Sequence, residues 1–173
     1  MKNSLIIFIT GASGAGKTTL LNALKEQHDF KEAIFLNFDS IGVPSEDEMI
    51  RQYGSPSEWQ KATTHVWAEK INSEYKGKKL VILEGQVNLD FIAEAFNKFN
   101  HQVKVILIHC SDAVRHKRLH GDRNQPELVN KNMDNWSAYL KKQALGQEAV
   151  ILDTTSMDVD EMVAEFKKNI INF

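Results

Sequence analysis

Residues 11–18 read Gly11-Ala12-Ser13-Gly14-Ala15-Gly16-Lys17-Thr18, a complete G-x-x-x-x-G-K-[ST] match. Just before it stands Leu5-Ile6-Ile7-Phe8-Ile9, continuously apolar, as in a parallel strand buried on both faces. Just after it, Leu20, Leu21 and Leu24 recur at helical spacing. Strand, glycine-rich loop and helix in that order are the context in which this spacing carries chemistry. Glycines let the backbone curl until successive N–H groups face an anion, and the helix N-terminus adds partial positive charge. Lys17 then reaches the β- and γ-phosphates, and the Thr18 hydroxyl is placed to ligate Mg²⁺. Gly11 to Thr18, with Thr19 next on the helix, form the expected binding surface for a nucleoside triphosphate.

The chain as a whole limits what surrounds that loop. Its 173 residues make one domain with a sizeable core, and no composition shift divides residues 1–173. A net charge of −2 gives no basic field for nucleic acid, so no nucleic-acid partner is expected. The single cysteine, Cys110, excludes an internal disulfide and fits a reducing compartment. No apolar run has the length of a membrane span, and the stretch before the loop is too short for a signal peptide. A cytoplasmic protein without a membrane partner is the expectation. Composition leaves monomer and homodimer equally open.

Five strands are expected, at Leu5–Thr10, Ala33–Phe38, Lys79–Glu84, Val103–Cys110 and Ala149–Thr154. Helical patterns alternate with them. Asn88 can cap one helix, and Asp158 with Glu161 has capping-box spacing for another. Such alternation predicts an α/β domain, a parallel sheet covered by helices on both faces. One connection is long, from Asp39 to Lys78, with expected helices at Ser45–Tyr53 and Ser57–Tyr75. This 39–78 segment is read as a helical acceptor-binding region closing over the site.

Ligands of open α/β sheets collect beyond the carboxyl ends of the strands. Here the second strand ends in Asp39, the third in Glu84-Gly85-Gln86 and the fifth in Asp153-Thr154-Thr155. Asp39 suits orientation and deprotonation of an acceptor hydroxyl, or a Mg²⁺-bound water, or simply a turn. Glu84 suits a metal-water or acid–base carboxylate, or a helix-start charge. Gln86 is a further acceptor contact.

The chain holds 17 lysines but four arginines, and three of those are Arg115, Arg118 and Arg123. Guanidinium forks match phosphate oxygens and keep their charge. A helix from Ser111-Asp112, ended by Gly121, followed by a loop and a second helix from Pro126, can close over a triphosphate and stabilise transferring charge. Residues 115–126 are thus the expected lid. Arg115 serves the nucleotide in this reading, while Arg118 and Arg123 serve catalysis.

GASGAGKT, Asp39, Leu83–Gln86, the Arg115–Arg123 segment and Leu152–Thr155 together resemble the P-loop kinases of the adenylate, shikimate and gluconate kinase group. The resemblance implies the three-layer P-loop NTPase fold, a five-stranded parallel sheet in order 2-3-1-4-5 with a short lid. It also implies ATP·Mg²⁺ as donor and a small metabolite as acceptor. Asp153 and Thr154 would then lie near the adenine. Two departures bear on the acceptor. Arg51 is the only arginine between residues 18 and 114, and Glu84-Gly85-Gln86 replaces the shikimate-type glycine triplet. A hydroxyl of an uncharged or weakly charged molecule therefore fits better than a nucleoside monophosphate.

Two rival readings need other signals. A GTPase switch requires N-K-x-D and D-x-x-G, whereas Asn130-Lys131-Asn132-Met133-Asp134 puts its aspartate one residue late. Intact Lys17, Thr18 and Asp39 argue against a nucleotide sensor without turnover.

Overall fold

A computed structural model describes residues 4–99, 101, 103–121 and 123–170. Strands β1 (Leu5–Thr10), β2 (Ile34–Asn37), β3 (Leu80–Glu84), β4 (Val103–His109) and β5 (Val150–Asp153) form one sheet. Its order is β2-β3-β1-β4-β5, and every pairing is parallel. The expected order and strand set are both found, with ends shifted by a residue or so.

Alternation along β1 decides which layer each side chain joins. Ile7 and Ile9 pack with α1 (Lys17–Lys25) and α7 (Val159–Ile170), through Leu20, Leu24, Met162 and Phe166. Ile6 and Phe8 point the other way, onto α3 (Pro56–Glu74) and α4 (Leu89–Asn97), through Trp67, Ile71, Ile92 and Phe96. Leu140 and Ala144 of α6 (Lys131–Gly146) cover Leu107 beside α4. Helices α2 (Glu46–Tyr53) and α5 (Asp112–His120) complete the set.

Local chemistry fixes the helix starts. Ser45 and Glu48 form a reciprocal capping box at α2, and Asp158 and Glu161 do the same at α7. Ser55 caps α3, with Pro56 at the first helical position, where a missing N–H costs nothing. Asn88 caps α4 as its spacing predicts.

The lid region departs from expectation in two places. Pro126 starts only one 3₁₀ turn, Pro126–Leu128, because Val129 leaves helical geometry; α6 begins at Lys131 under an Asn130 cap. Gly121 ends α5 with φ at −89°, so no left-handed cap is used there. The Arg123 and Gln125 amides instead turn back onto the Arg118 and Leu119 carbonyls.

Candidate active site

The phosphate loop joins β1 to α1 at the carboxyl edge of the sheet. Gly11 has φ at +151°, and a Cβ there would stand 2.3 Å from the Ile108 carbonyl oxygen of β4. Gly14 has φ at +82°, and its Cβ would meet Leu119 at 2.9 Å and Arg115 at 3.0 Å. Both positions therefore exclude side chains on backbone and steric grounds. Gly16 caps α1 in a left-handed conformation with no side-chain acceptor, and the first turn carries no acidic residue. The opening amides of α1 are left for an anion. That cradle of free amides fits the phosphates of a nucleotide.

A cleft of about 480 Å³ opens over this loop. Gly14, Gly16, Lys17, Thr18 and Thr19 form its floor, and Arg118 and Arg123 its wall. Asn22, Met157, Asp158, Val159 and Met162 line the rest, and none of them is among the site residues expected from the sequence. Asn22 lies one helical turn beyond Thr18 and Thr19, so periodicity alone could have found it. Met157, Val159 and Met162 supply the apolar part of the wall.

Lys17 is buried, and its ammonium donates to the Ala12 carbonyl at 3.2 Å. Burial lowers its pKa to about 8; Glu84 and Asp39 pull it up, and Arg123 pushes it down. Glu84 is also buried, and burial raises its carboxyl above the ordinary value while Lys17 opposes that shift. Lys17, Glu84, Asp39 and Arg123 thus share one electrostatic neighbourhood. Thr18 stays exposed at the cleft. It is the side chain that could hold Mg²⁺.

The β2 and β3 ends are tied to each other. Asn37 Nδ2 donates to Glu84 Oε1 at 2.8 Å, and the Asp39 N–H donates to Asn37 Oδ1 at 2.8 Å. Gly85 lies so close to Phe38 that a Cβ would approach its Cβ to 2.4 Å. Trp67 of α3 donates its indole N–H to the Phe38 carbonyl at 3.0 Å. Asp39 itself is exposed, in the 3₁₀ turn Phe38–Ile41.

The three arginines of the α5 region occupy different places. Arg118 donates to the Ala15 carbonyl at 3.2 Å and to the Thr154 hydroxyl and carbonyl at 3.0 and 2.9 Å. Arg123 lines the cleft. Arg115 is fully buried; its stem lies beneath Gly14 and its guanidinium pairs with Asp112 and Asp134. Thr154 is buried too, and its hydroxyl donates to the Ala15 carbonyl at 2.8 Å, bracing the loop from below. Asp153 is exposed and accepts from the Thr155 N–H at 3.0 Å. Neither Arg115, Asp153 nor Thr154 lines the cleft.

Comparison with known proteins accords with this geometry. The sequence profile of a family described as AAA domain matches residues 7–138. The chain belongs to that AAA-domain family. No curated protein matches the sequence. Among solved structures, this AAA-domain protein is similar to the tunicamycin resistance protein of Deinococcus radiodurans, at 17% identity and TM-score 0.68, covering 96% of this chain and 95% of that one. It is similar to a gluconokinase from Sinorhizobium meliloti 1021, at 17% identity and TM-score 0.62, covering 99% and 97%. A shikimate kinase from Acinetobacter baumannii, in complex with shikimate, aligns at 19% identity and TM-score 0.58 over 98% and 94%. The shared feature is the P-loop kinase fold.

Proposed function

We propose that this AAA-domain protein is a small-molecule kinase that moves the γ-phosphoryl group of ATP to an acceptor hydroxyl. The observation that carries the reading is the cleft over the phosphate loop, lined by Lys17, Thr18, Arg118 and Arg123, with the Asp39 and Glu84 carboxylates near enough to pull the Lys17 pKa up. Phosphoryl transfer needs cations for the transferring oxygens and a carboxylate for the nucleophile, with little covalent chemistry from the protein.

In this reading the loop amides and Lys17 bind and orient the triphosphate. Thr18 would hold Mg²⁺, which when bound would supply charge neutralisation for the triphosphate. Asp39 takes the hydroxyl proton as the acceptor oxygen bonds to the γ-phosphorus; the bond from that phosphorus to the β–γ bridging oxygen breaks, and ADP leaves with the oxygen. Arg123 stabilises the equatorial charge, and Arg118 holds the loop and lid together. Glu84, held by the Asn37 amide, orders the acceptor side. Residues 39–78 bind the acceptor and 115–126 form the lid.

Charge placement supports a hydroxyl acceptor over a nucleoside monophosphate. Arg51 is largely exposed beside Glu48, and Lys61 pairs with Glu94 at 2.9 Å. The same placement disfavours a guanine-nucleotide switch: Asn130 caps α6, and Asp134 is taken by Arg115 and His116. No described helix is long and apolar enough to cross a membrane.

The test is purified protein with Mg·ATP against a metabolite library, reading ADP release and new phosphate-ester signals by phosphorus NMR. Acceptor-dependent ADP formation is the expected result. Steady hydrolysis that no acceptor stimulates, or binding without turnover, refutes the kinase reading.

A further inference from the structure

Helix α3 reaches the sheet through Gln60, a half-buried residue that the catalytic scheme above does not use. Gln60 Nε2 donates to the Gln86 carbonyl at 3.0 Å, and the Asn88 N–H donates to Gln60 Oε1 at 3.0 Å. One side-chain amide thus binds both sides of the turn from β3 into α4. From β1, the Thr10 hydroxyl does the same for the residue between them, accepting from the Val87 N–H at 3.0 Å and donating to its carbonyl at 2.7 Å. Beyond the end of β3 these backbone groups have no strand partner, so side chains must satisfy them. With its main chain held in this way, Gln86 accepts from the Ser13 hydroxyl of the phosphate loop at 3.1 Å.

A continuous path therefore runs from α3 through Gln60, Gln86 and Ser13 into the phosphate loop. We infer that Gln60 is a positioning residue that fastens the phosphate loop to the helix of the acceptor region, so that tilting α3 moves Ser13. The inference deepens the kinase reading and rests on it only for what α3 binds; the mechanical link is independent of catalysis. The Gln86 carbonyl, both backbone groups of Val87 and the Asn88 N–H are taken by Gln60 and Thr10, which leaves Gln86 little freedom to follow the acceptor alone. The loop and the acceptor helix shift together.

The test compares wild type, Gln60→Met, Ser13→Ala and the double variant, each with Mg·ADP bound, by amide hydrogen exchange in NMR. Gln60→Met should speed exchange at residues 13–16 by about tenfold or more, with β5 amides unchanged and Tm within about 3 °C. Ser13→Ala should reciprocally speed exchange at 86–88, and it serves if Gln60→Met does not fold. The double variant should show no further increase at residues 13–16 over Gln60→Met, since both changes cut one path. Additive effects, or loop amides indifferent to Gln60, overturn the inference. If transfer activity proves absent while the exchange pattern holds, the kinase reading fails and the mechanical link stands. Where transfer is present, Gln60→Met should lower kcat about tenfold and leave ATP affinity within about threefold.

Discussion

Asn37 and Glu84 face each other in register across β2 and β3, and the Asn37 amide holds one Glu84 oxygen. The bond stands in for water at a buried carboxylate whose proton affinity burial has raised. A folded-state pKa above the unfolded one means that ionisation costs stability. The cost appears as pH rises past the unfolded carboxyl value and is complete above the folded one. Glu84→Gln should therefore melt at the same or a higher temperature than wild type at pH 8, with the difference shrinking in acid. Thermal melts without nucleotide check this, and a clearly lower Tm at pH 8 contradicts it.

Lys17 shows the converse sign. Its pKa is lowered from 10.5 to about 8, so the folded protein pays for the charge below about 8 and is relieved as pH rises toward the unfolded value. The shift corresponds to about 3 kcal/mol. Lys17→Met should be more stable than wild type at pH 7 and should have no turnover. Binding of Mg·ATP at about pH 8.5 should take up a proton, because the triphosphate restores the charged amine. Calorimetry in two buffers of different ionisation enthalpy reads that proton directly.

Asp39 is exposed and braced by Asn37 through its own N–H. Asp39→Asn should keep the turn and lower kcat by about 10²-fold or more, as loss of a positioned base does. ATP affinity, measured separately, should stay within a fewfold. An unchanged kcat reduces Asp39 to a turn residue.

Arg118 and Arg123 should separate kinetically. The first is spent on the Ala15 and Thr154 oxygens, so Arg118→Met should weaken ATP binding as well as kcat. Arg123→Met should act on kcat alone. Equal effects of both on ATP affinity would remove the distinction.

Asp134 receives the buried Arg115 guanidinium. Asp134→Ala leaves that charge buried with Asp112 as its one remaining carboxylate partner among the described residues, which should destabilise the fold. Chemical denaturation should show the loss, and restoring it with Arg115→Met would confirm the pairing.

The fold was legible because its signals are local. The buried runs around Ile7 and Ile82, the glycine spacing, and the Asn88 and Asp158 caps all act within a few residues. The carboxylates at the ends of β2 and β3 were found by the same strand-end rule. Partner choice was hidden. The scarcity of arginine drew attention to Arg115, yet its partners are Asp112 and Asp134, the second on another helix. Gln60 reads as an ordinary helical amide until the fold brings residues 86 and 88 against it. Pro126 resembled a helix start because the sequence cannot show that Val129 breaks the turn.

The segment 39–78 leaves the sheet at one strand and returns at its immediate neighbour, β2 and β3. Its anchors to the main body include a tryptophan N–H on one carbonyl and a glutamine amide on one short connection. A cassette joined in this way can be exchanged for another helical pair, provided the transplanted helix brings its own indole and amide to the same two anchor points and an apolar face equivalent to Trp67, Ala68 and Ile71, which share a core with Ile6 and Phe8. Chimeras that keep Trp67 and Gln60 in place are thus the natural route to re-targeting this protein.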